Sequence, residues 1–208
     1  MVLLGLAASV SPVSIMVMIS LMLTKSPVRN ALAFLAGFTL VLVAMGVLSV
    51  FVFHAGTAHK TGTVDGWIDI GFGVLCLAVI PFSILRKEKP EQEKQSAKPF
   101  TARKSFVVGL GTMMVNASTI VIYLSATHLI AAAKLSAAQD VIALVVLTLV
   151  TLVTVIIPIL IYTIFPGKAE KVLNALKGWL ARHRKVIGVT ILLIIGAYLL
   201  VKGIRIVV

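Results

Sequence analysis

Six apolar stretches, each close to the length of a bilayer-spanning helix, are the feature that most restricts how this chain can fold. A hydrocarbon core about 30 Å thick is crossed by roughly 20 apolar helical residues. The stretches are Val2–Leu23, Ala31–Phe53, Gly66–Leu85, Ser105–His128, Val141–Phe165 and Val186–Val201. Their apolar residues run continuously and do not alternate, and lipid offers no partner to a free backbone group, so we expect helices. The sequence therefore predicts an all-α integral membrane protein with six transmembrane helices.

The composition indicates that lipid covers much of the surface. Of the 208 residues, 60% are hydrophobic and 12% are charged, whereas a soluble domain is about half apolar and a quarter charged. The net charge of +12 would favour a nucleic-acid partner if the basic residues formed one patch. They lie instead in short loops beside the apolar stretches. We therefore expect no nucleic-acid partner and a multi-pass protein of the inner (plasma) membrane.

The charges of the loops predict the orientation. Loops 24–30, 86–104 and 166–185 hold 15 of the 19 Lys and Arg residues, and the two loops between them hold one Lys each. By the positive-inside rule the three basic loops face the cytoplasm, so the N-terminus and the C-terminus both face outside. Lys202 and Arg205 depart from the rule, and we expect their side chains to reach the outer interface.

The long loop 86–104 divides the apolar stretches into two groups of three. We expect residues 1–85 to form a first three-helix repeat, 86–104 a cytoplasmic basic linker, and 105–208 a second repeat. Because each group has an odd number of spans, the two groups face opposite ways. This is the arrangement of the inverted repeats found in many transporters, whose binding sites lie at the repeat interface. The sequence therefore predicts an inverted 3+3 repeat.

A basic amphipathic segment at about 168–182 precedes the last apolar stretch. Its apolar residues recur at the spacing of one helical face: Val172, Leu173, Leu176, Trp179 and Leu180. A basic amphipathic helix that carries a Trp suits the plane of the membrane interface. We expect an interfacial anchor between two spans, with a lipid-sensing or gating element as the alternative.

Polar residues inside the apolar stretches are candidates for function because they are costly in lipid. Ser11, Pro12 and Ser14 lie near the middle of the first stretch, and Thr112 and Asn116 lie near the middle of the fourth. If the two groups are related by inversion, both sets reach the midplane and line one substrate path. The alternative is a packing kink at Pro12 with an interhelical hydrogen bond from Asn116, worth about 1 kcal/mol or less.

Charged residues supply two further candidate sites. Asp69 lies in the outer part of the third stretch, where we expect a salt bridge with Lys202 or Arg205; the alternative is that it carries an ion or a proton. Basic residues near the inner surface attract anionic lipids by about 1 kcal/mol each. The candidates for binding lipid headgroups are Lys25, Arg29, Lys171, Arg182 and Arg184.

Motifs of enzymes and metal sites are missing from the sequence. It has no nucleophile–base motif, no glycine loop for phosphate and no helical H-E-x-x-H. Cys76 is the single cysteine, which excludes an internal disulfide or a thiol-redox pair. Five residues with metal-binding chemistry fall on the predicted outer side without zinc-like spacing: His54, His59, Asp65, Asp69 and His128. We expect no enzyme activity, metal or cofactor, with membrane lipids as partners and a homodimer as the commonest kind of assembly.

Three local patterns resemble the LysE superfamily of small six-span exporters with two inverted three-helix halves. Ser11-Pro12 is followed by TKSPVRN and ALAFLAGF; the glycine-rich GLGTMMVNAST leads to Asn116; and WLARHRKVIG enters the last stretch, which ends in GAYLLVKGI. Within the superfamily the chain looks most like the GAP, or Sap-like, family, named for glycopeptidolipid addressing. The resemblance covers nearly the whole chain except the third loop.

The resemblance implies export of a cell-envelope lipid or amphiphile by alternating access. A non-transporting scaffold for lipid assembly, or an exporter of a small amino acid or cation, is the alternative. Thiol-transferring relatives need a cysteine in each half, which this chain lacks. Amino-acid exporters of the superfamily usually begin with a Pro-Gly-Pro-like pattern and carry Asn-Pro in the fourth span. Here the corresponding places read Ser-Pro-Val and Asn-Ala-Ser.

Overall fold

The computed structural model describes residues 2–57, 62–85, 100–133, 135–165 and 167–208. Within these ranges the regular structure is entirely helical, which confirms the all-α prediction. The eight helices are α1 (Val2–Ser9), α2 (Pro12–Met22), α3 (Pro27–Thr57), α4 (Gly62–Leu85), α5 (Ala102–Met114), α6 (Ala117–Ala132), α7 (Ala137–Ile164) and α8 (Ala169–Val207).

Four of these helices, α3, α4, α7 and α8, are long and apolar enough to cross a membrane. A fifth span results if α5 and α6, whose axes differ by 69°, are counted as one broken span. The first predicted span, Val2–Leu23, is divided into helices of 8 and 11 residues, each too short to cross a bilayer alone. By length and composition the described part of the chain therefore has four or five candidate spans.

The first apolar stretch is divided because Ser11 and Pro12 begin a new helix. α1 ends at Ser9, and Ser11 has an extended backbone with φ −111° and ψ 97°. The Ser11 side chain accepts a hydrogen bond from the N–H of Ser14, and Pro12 occupies the first turn of α2. Serine is a favoured N-cap, and proline suits the first helical position because its missing N–H would have no helical partner there. Pro12 therefore begins a helix, whereas we predicted one continuous span over Val2–Leu23.

The fourth apolar stretch is divided in the same way. α5 ends at Met114, and Asn116 is the N-cap of α6. The Oδ1 atom of Asn116 accepts a hydrogen bond from the N–H of Thr119 at 3.4 Å. A short side-chain oxygen at this position satisfies one of the free N–H groups that begin a helix. Asn116 therefore begins a helix, whereas we predicted that it lies within one.

The largest helix–helix interface joins α4 to α8 through facing glycines. A Cβ atom on Gly203 would lie 2.6 Å from the carbonyl oxygen of Gly66, and one on Gly73 would lie 3.0 Å from that of Gly196. Side chains at these positions would hold the two backbones apart. The close approach is the small-residue packing typical of membrane helices.

Most of the remaining contacts pair helices of the first group with helices of the second. α3 packs against α5 and α6, and α7 packs against α1 and α2. In addition, α4 contacts α6 and α8 contacts α2. The two broken helix pairs, α1–α2 and α5–α6, therefore lie between the long helices and contact each other through α1 and α6.

The amphipathic segment at about 168–182 and the last apolar stretch form one helix. α8 contains 39 residues, or about 58 Å at 1.5 Å per residue. It contains no proline, so nothing in the sequence interrupts its backbone hydrogen bonds. Leu173 and Leu180 are buried, whereas Val172 and Trp179 are about half exposed, at 46% and 52%. The apolar face that we predicted is thus divided between the protein core and the surface.

Candidate functional site

The two helix breaks contact each other directly. The Nδ2 atom of Asn116 donates a hydrogen bond to Oγ of Ser11 at 2.7 Å and lies 3.4 Å from Oγ of Ser14. The two serine hydroxyls are 2.9 Å apart. Ser118 donates to Oδ1 of Asn116 at 3.2 Å. We call Ser11, Ser14, Asn116, Ser118 and Thr119 the junction cluster.

The C-terminal end of α1 is bonded by hydroxyls from the second group of helices. Thr119 of α6 donates to the carbonyl oxygen of Ala8 at 3.3 Å, and Thr154 of α7 donates to that of Ser9. Carbonyl groups at a helix end have no partner within the helix, and in lipid they must find one within the protein. Side chains from other helices therefore stabilise the first break.

A cavity of about 250 Å³ lies beside the junction cluster. Four of the five residues that we predicted for a substrate path line it; the fifth, Ser14, is buried beneath Ser11. The lining residues are Ser11, Pro12, Val13, Val79, Thr112, Val115, Asn116, Ala117, Ser118, Arg184, Lys185, Gly188, Val189 and Leu192. The structure therefore brings the predicted path residues of the two groups together.

The polar part of the cavity wall suits an anion, and the rest of the wall is apolar. Arg184 and Lys185 lie where the charged part of α8 meets its apolar stretch. The first residues of α2 and α6 line the same cavity, and a helix N-terminus carries about half a positive charge. Backbone N–H groups at such a position bind phosphate, sulfate or carboxylate groups. The arrangement fits the headgroup of an anionic amphiphile.

The predicted headgroup residues separate into two sets. Arg184 is partly buried and lines the cavity. Lys25, Arg29, Lys171 and Arg182 are exposed, and none of them lines it. Their exposure leaves them available to lipid or to a partner.

A second polar group lies buried where α4, α6 and α8 meet. Asp69 is fully buried, and its Oδ2 atom accepts a hydrogen bond from Nζ of Lys202 at 2.5 Å. Its Oδ1 atom lies 3.7 Å from Nε2 of His128, which is also fully buried. The predicted pairing of Asp69 with Lys202 is confirmed, but the carboxylate is in the protein core and not at an exposed interface. We call Asp69, His128 and Lys202 the ionisable triad.

Aromatic rings surround the imidazole of this triad. The rings of Phe53 and Phe72 lie 5.1 Å and 6.3 Å from that of His128, measured between centroids. Among the described residues, no three His, Cys, Asp or Glu side chains are grouped to hold a metal ion. Of the residues with metal-binding chemistry in the sequence, His59 lies outside the described residues.

Sequence reasoning missed four residues of these two sites. Ser118, Thr119 and Lys185 were not singled out, and His128 was considered only for metal binding. Two signals were available: Asn116 followed by a Ser and a Thr is typical of a helix start, and Lys185 is the neighbour of Arg184. No local pattern relates His128 to Asp69, because they lie on different helices.

Residues 1–205 match the family model described as Sap, sulfolipid-1-addressing protein. The match covers both groups of helices, both helix breaks and the ionisable triad. No match was found among curated proteins or among solved structures.

Proposed function

Since the chain belongs to the Sap, sulfolipid-1-addressing protein family, we propose that it translocates a cell-envelope lipid or amphiphile across the membrane. Membership of the family identifies a membrane protein involved in handling cell-envelope lipids. The translocation step is our proposal. The observation that carries it is the cavity at which two broken helices meet through the hydrogen bond between Ser11 and Asn116.

Broken helices at a shared cavity support a transporter. In many secondary transporters the substrate site is formed by discontinuous helices, whose N-terminal ends face anionic groups of the substrate. α2 and α6 begin at the cavity in this manner. An opening and closing of the junction cluster would then expose the cavity to one side of the membrane at a time. This supports alternating access about Ser11, Pro12 and Asn116.

The size and charge of the cavity support an anionic amphiphile as substrate. A volume of about 250 Å³ is below the range of about 300–1,000 Å³ for pockets that enclose a drug-sized molecule. A headgroup would fit, and the lipid tails would remain in the bilayer beside it. Arg184 offers the planar fork that binds sulfate or phosphate oxygens in pairs. The family description names a sulfolipid, and a sulfate ester is such an anion.

The helix pairing supports the inverted 3+3 repeat. In such a repeat α1–α2 would correspond to α5–α6, α3 to α7, and α4 to α8. The packing of α3 on α5–α6 then has its counterpart in the packing of α7 on α1–α2. The contact of α4 with α6 corresponds to that of α8 with α2. We propose that α1–α2 is the sixth span, broken like α5–α6, and that the chain belongs to the wider LysE superfamily.

One contact supports the predicted orientation. The Nδ2 atom of Asn30 donates hydrogen bonds to Oγ1 of Thr24 at 2.9 Å and to the carbonyl oxygen of Phe100 at 3.2 Å. These residues belong to two loops that the charge distribution assigns to the cytoplasm. We propose that both termini face outside and that the protein lies in the inner membrane, with lipids as its partners and no enzyme activity.

The test is a set of substitutions at the junction cluster in the organism that carries the gene. Surface-extracted and total lipids are compared in a deletion strain that expresses the wild-type protein, Asn116→Ala, Asn116→Ser or Ser20→Ala. Ser20 is a matched control because its hydroxyl bonds within α2, to the carbonyl oxygen of Met16. We expect Asn116→Ala to remove one lipid class from the surface and Asn116→Ser, which keeps a capping oxygen, to retain part of it. Unchanged surface lipid with Asn116→Ala, at equal membrane abundance, would refute the path.

A scaffold for lipid assembly is the second candidate. The exposure of Lys25, Arg29, Lys171 and Arg182 favours it, because a scaffold would need accessible charges for its partners. A scaffold predicts that removal of these four charges abolishes surface lipid, whereas Asn116→Ala leaves it intact. A translocator predicts the reverse.

A further inference from the structure

The ionisable triad contains polar atoms that lie in the protein core. Oδ1 of Asp69 and both ring nitrogens, Nδ1 and Nε2, of His128 are buried. Nε2 lies 3.7 Å from Oδ1, too far for a hydrogen bond, and the backbone of Asp65 also acts on the imidazole. A buried polar group that lacks a hydrogen bond is costly. Oδ1 of Asp69 and Nε2 of His128 therefore face each other without a hydrogen bond, and a proton on the imidazole would supply one.

Burial opposes a proton on His128, whereas the net charge around its imidazole favours one. The charged groups that act on its imidazole, among the described residues, are Asp69 and Asp65 of α4 and Lys202 of α8. From α3 the neighbour is the ring of Phe53. Two carboxylates and one ammonium group leave one unbalanced negative charge. A proton on His128 balances that charge, and an opposite charge nearby favours the charged form of a titrating group.

The distance between His128 and Asp69 relates protonation to helix position. Nε2 and Oδ1 are 3.7 Å apart, whereas a charge-assisted hydrogen bond is about 2.8 Å long. Formation of that bond would shorten this distance by roughly 1 Å, through rotation of the side chains or movement of α6 toward α4. Lys202, with 30% of its side chain exposed, connects the carboxylate to the surface, so a proton can exchange with water at that end.

The helices that carry the triad also line the junction cavity. On each of the three helices, ten or eleven residues separate a cavity residue from a triad residue: Val79 and Asp69 on α4, Ala117 and His128 on α6, and Leu192 and Lys202 on α8. At 1.5 Å per residue this is about 15 Å on every helix. Since a helix transmits a shift along its axis, a movement of α6 against α4 at the triad also moves the cavity wall.

We propose that His128 and Asp69 form a proton-binding site whose occupancy controls the junction cavity, so that a proton is the coupling ion of this protein. A hydronium ion near Lys202, at the outer end of α8, gives up the proton, which forms an N–H bond at Nε2 of His128. The proton later returns to water, and no electrons are transferred. Proton binding depends on the triad alone. The control of the cavity rests on the proposed function, because it takes the cavity as the substrate site.

Proton binding is tested by histidine NMR of the full-length protein in nanodiscs between about pH 5 and 8.5, the range that contains the ordinary titration of a histidine. Comparison with His128→Gln assigns the signal, and His183→Gln is the matched control, because His183 is exposed and stacks on Trp179. We expect a titrating signal that is lost in His128→Gln and kept in His183→Gln. No titration of His128 in this range overturns the proposal, whatever the substrate.

Coupling is tested by the binding of NBD-labelled sulfatide to the same nanodiscs. We expect the Kd to differ at least fivefold between pH 5.5 and 7.5 in the wild-type protein, and less than twofold in His128→Gln. Asp69→Asn combined with Lys202→Gln removes the ion pair as a unit, which avoids an uncompensated buried charge; it should also abolish the pH dependence. A Kd that depends on pH equally in all variants overturns the coupling. If the wild-type protein does not bind the probe at either pH, the proposed function fails, and the NMR titration still decides the proton site.

Discussion

Replacement of Asn116 by Ala should lower the free energy of unfolding by about 2 kcal/mol. The side chain caps α6 and bonds Ser11 of α2. Loss of an N-cap costs about 1 kcal/mol, and a hydrogen bond between membrane helices averages about 0.6 kcal/mol, with a maximum near 1.7 kcal/mol. The bond to Ser118 adds a similar amount. The Ser11→Ala replacement removes one of these bonds and leaves the α6 cap.

A double-mutant cycle separates the cap from the contact between the two breaks. Unfolding is followed in mixed micelles with an increasing fraction of SDS for Asn116→Ala, Ser11→Ala and the double variant. Because the direct hydrogen bond between Ser11 and Asn116 is lost in both single variants, the interaction term should be about 0.6–1.7 kcal/mol. Ser20→Ala, which removes a hydroxyl bonded within α2, supplies the value for a hydroxyl that makes no contact between helices.

The outcome that refutes this reasoning is additivity. If the two single replacements add to the double within about 0.3 kcal/mol, Ser11 and Asn116 are not coupled, and the contact between the two breaks has no energetic role. A loss of stability with Asn116→Ala would then reflect the α6 cap alone.

Three further predictions follow from burial and charge. Gly109→Val should prevent the protein from accumulating in the membrane, because a Cβ atom at this position would overlap the backbone of α3. Gly111→Val is the control, because a Cβ atom there meets open space. Immunoblots of the membrane fraction should show normal amounts of this second variant. Arg184→Ala should weaken binding of NBD-labelled sulfatide about tenfold. Arg182 lies outside the cavity, so Arg182→Ala should weaken binding less than twofold. Equal effects of the two replacements would contradict the assignment of the cavity as the binding site. Asp69→Asn should destabilise the protein by about 3 kcal/mol in the SDS assay, because it leaves a partly buried ammonium unpaired, and replacement of the paired lysine as well should restore part of that loss.

The membrane class of the protein was predictable because it depends on composition and run length alone. An apolar run of about 20 residues has few stable environments other than lipid, whichever neighbours it meets. The pairing of Asp69 with Lys202 was predictable for a related reason. Charges inside apolar stretches require partners, and few lie on the same side of the membrane.

The role of Pro12 was not predictable from its neighbours. A proline that kinks a span and a proline that begins a helix have the same local sequence, and only the packing around them selects one state. At this position Ser11 caps α2, while Thr119 of α6 bonds the carbonyl oxygen of Ala8 at the end of α1. The break is stabilised by a residue 111 positions away, which satisfies that carbonyl group.

The sequence alone therefore determined that the chain is helical and lies in a membrane, that certain residues are costly there, and which of its loops are basic. These properties depend on the free energy of transferring each segment from water to lipid, which is set by the residues of that segment. The tertiary structure alone decided that Ser11 meets Asn116, that Arg184 lines their cavity and that His128 lies 3.7 Å from Asp69. Such contacts join residues on different helices, and helices associate through packing and hydrogen bonds that depend on both partners at once.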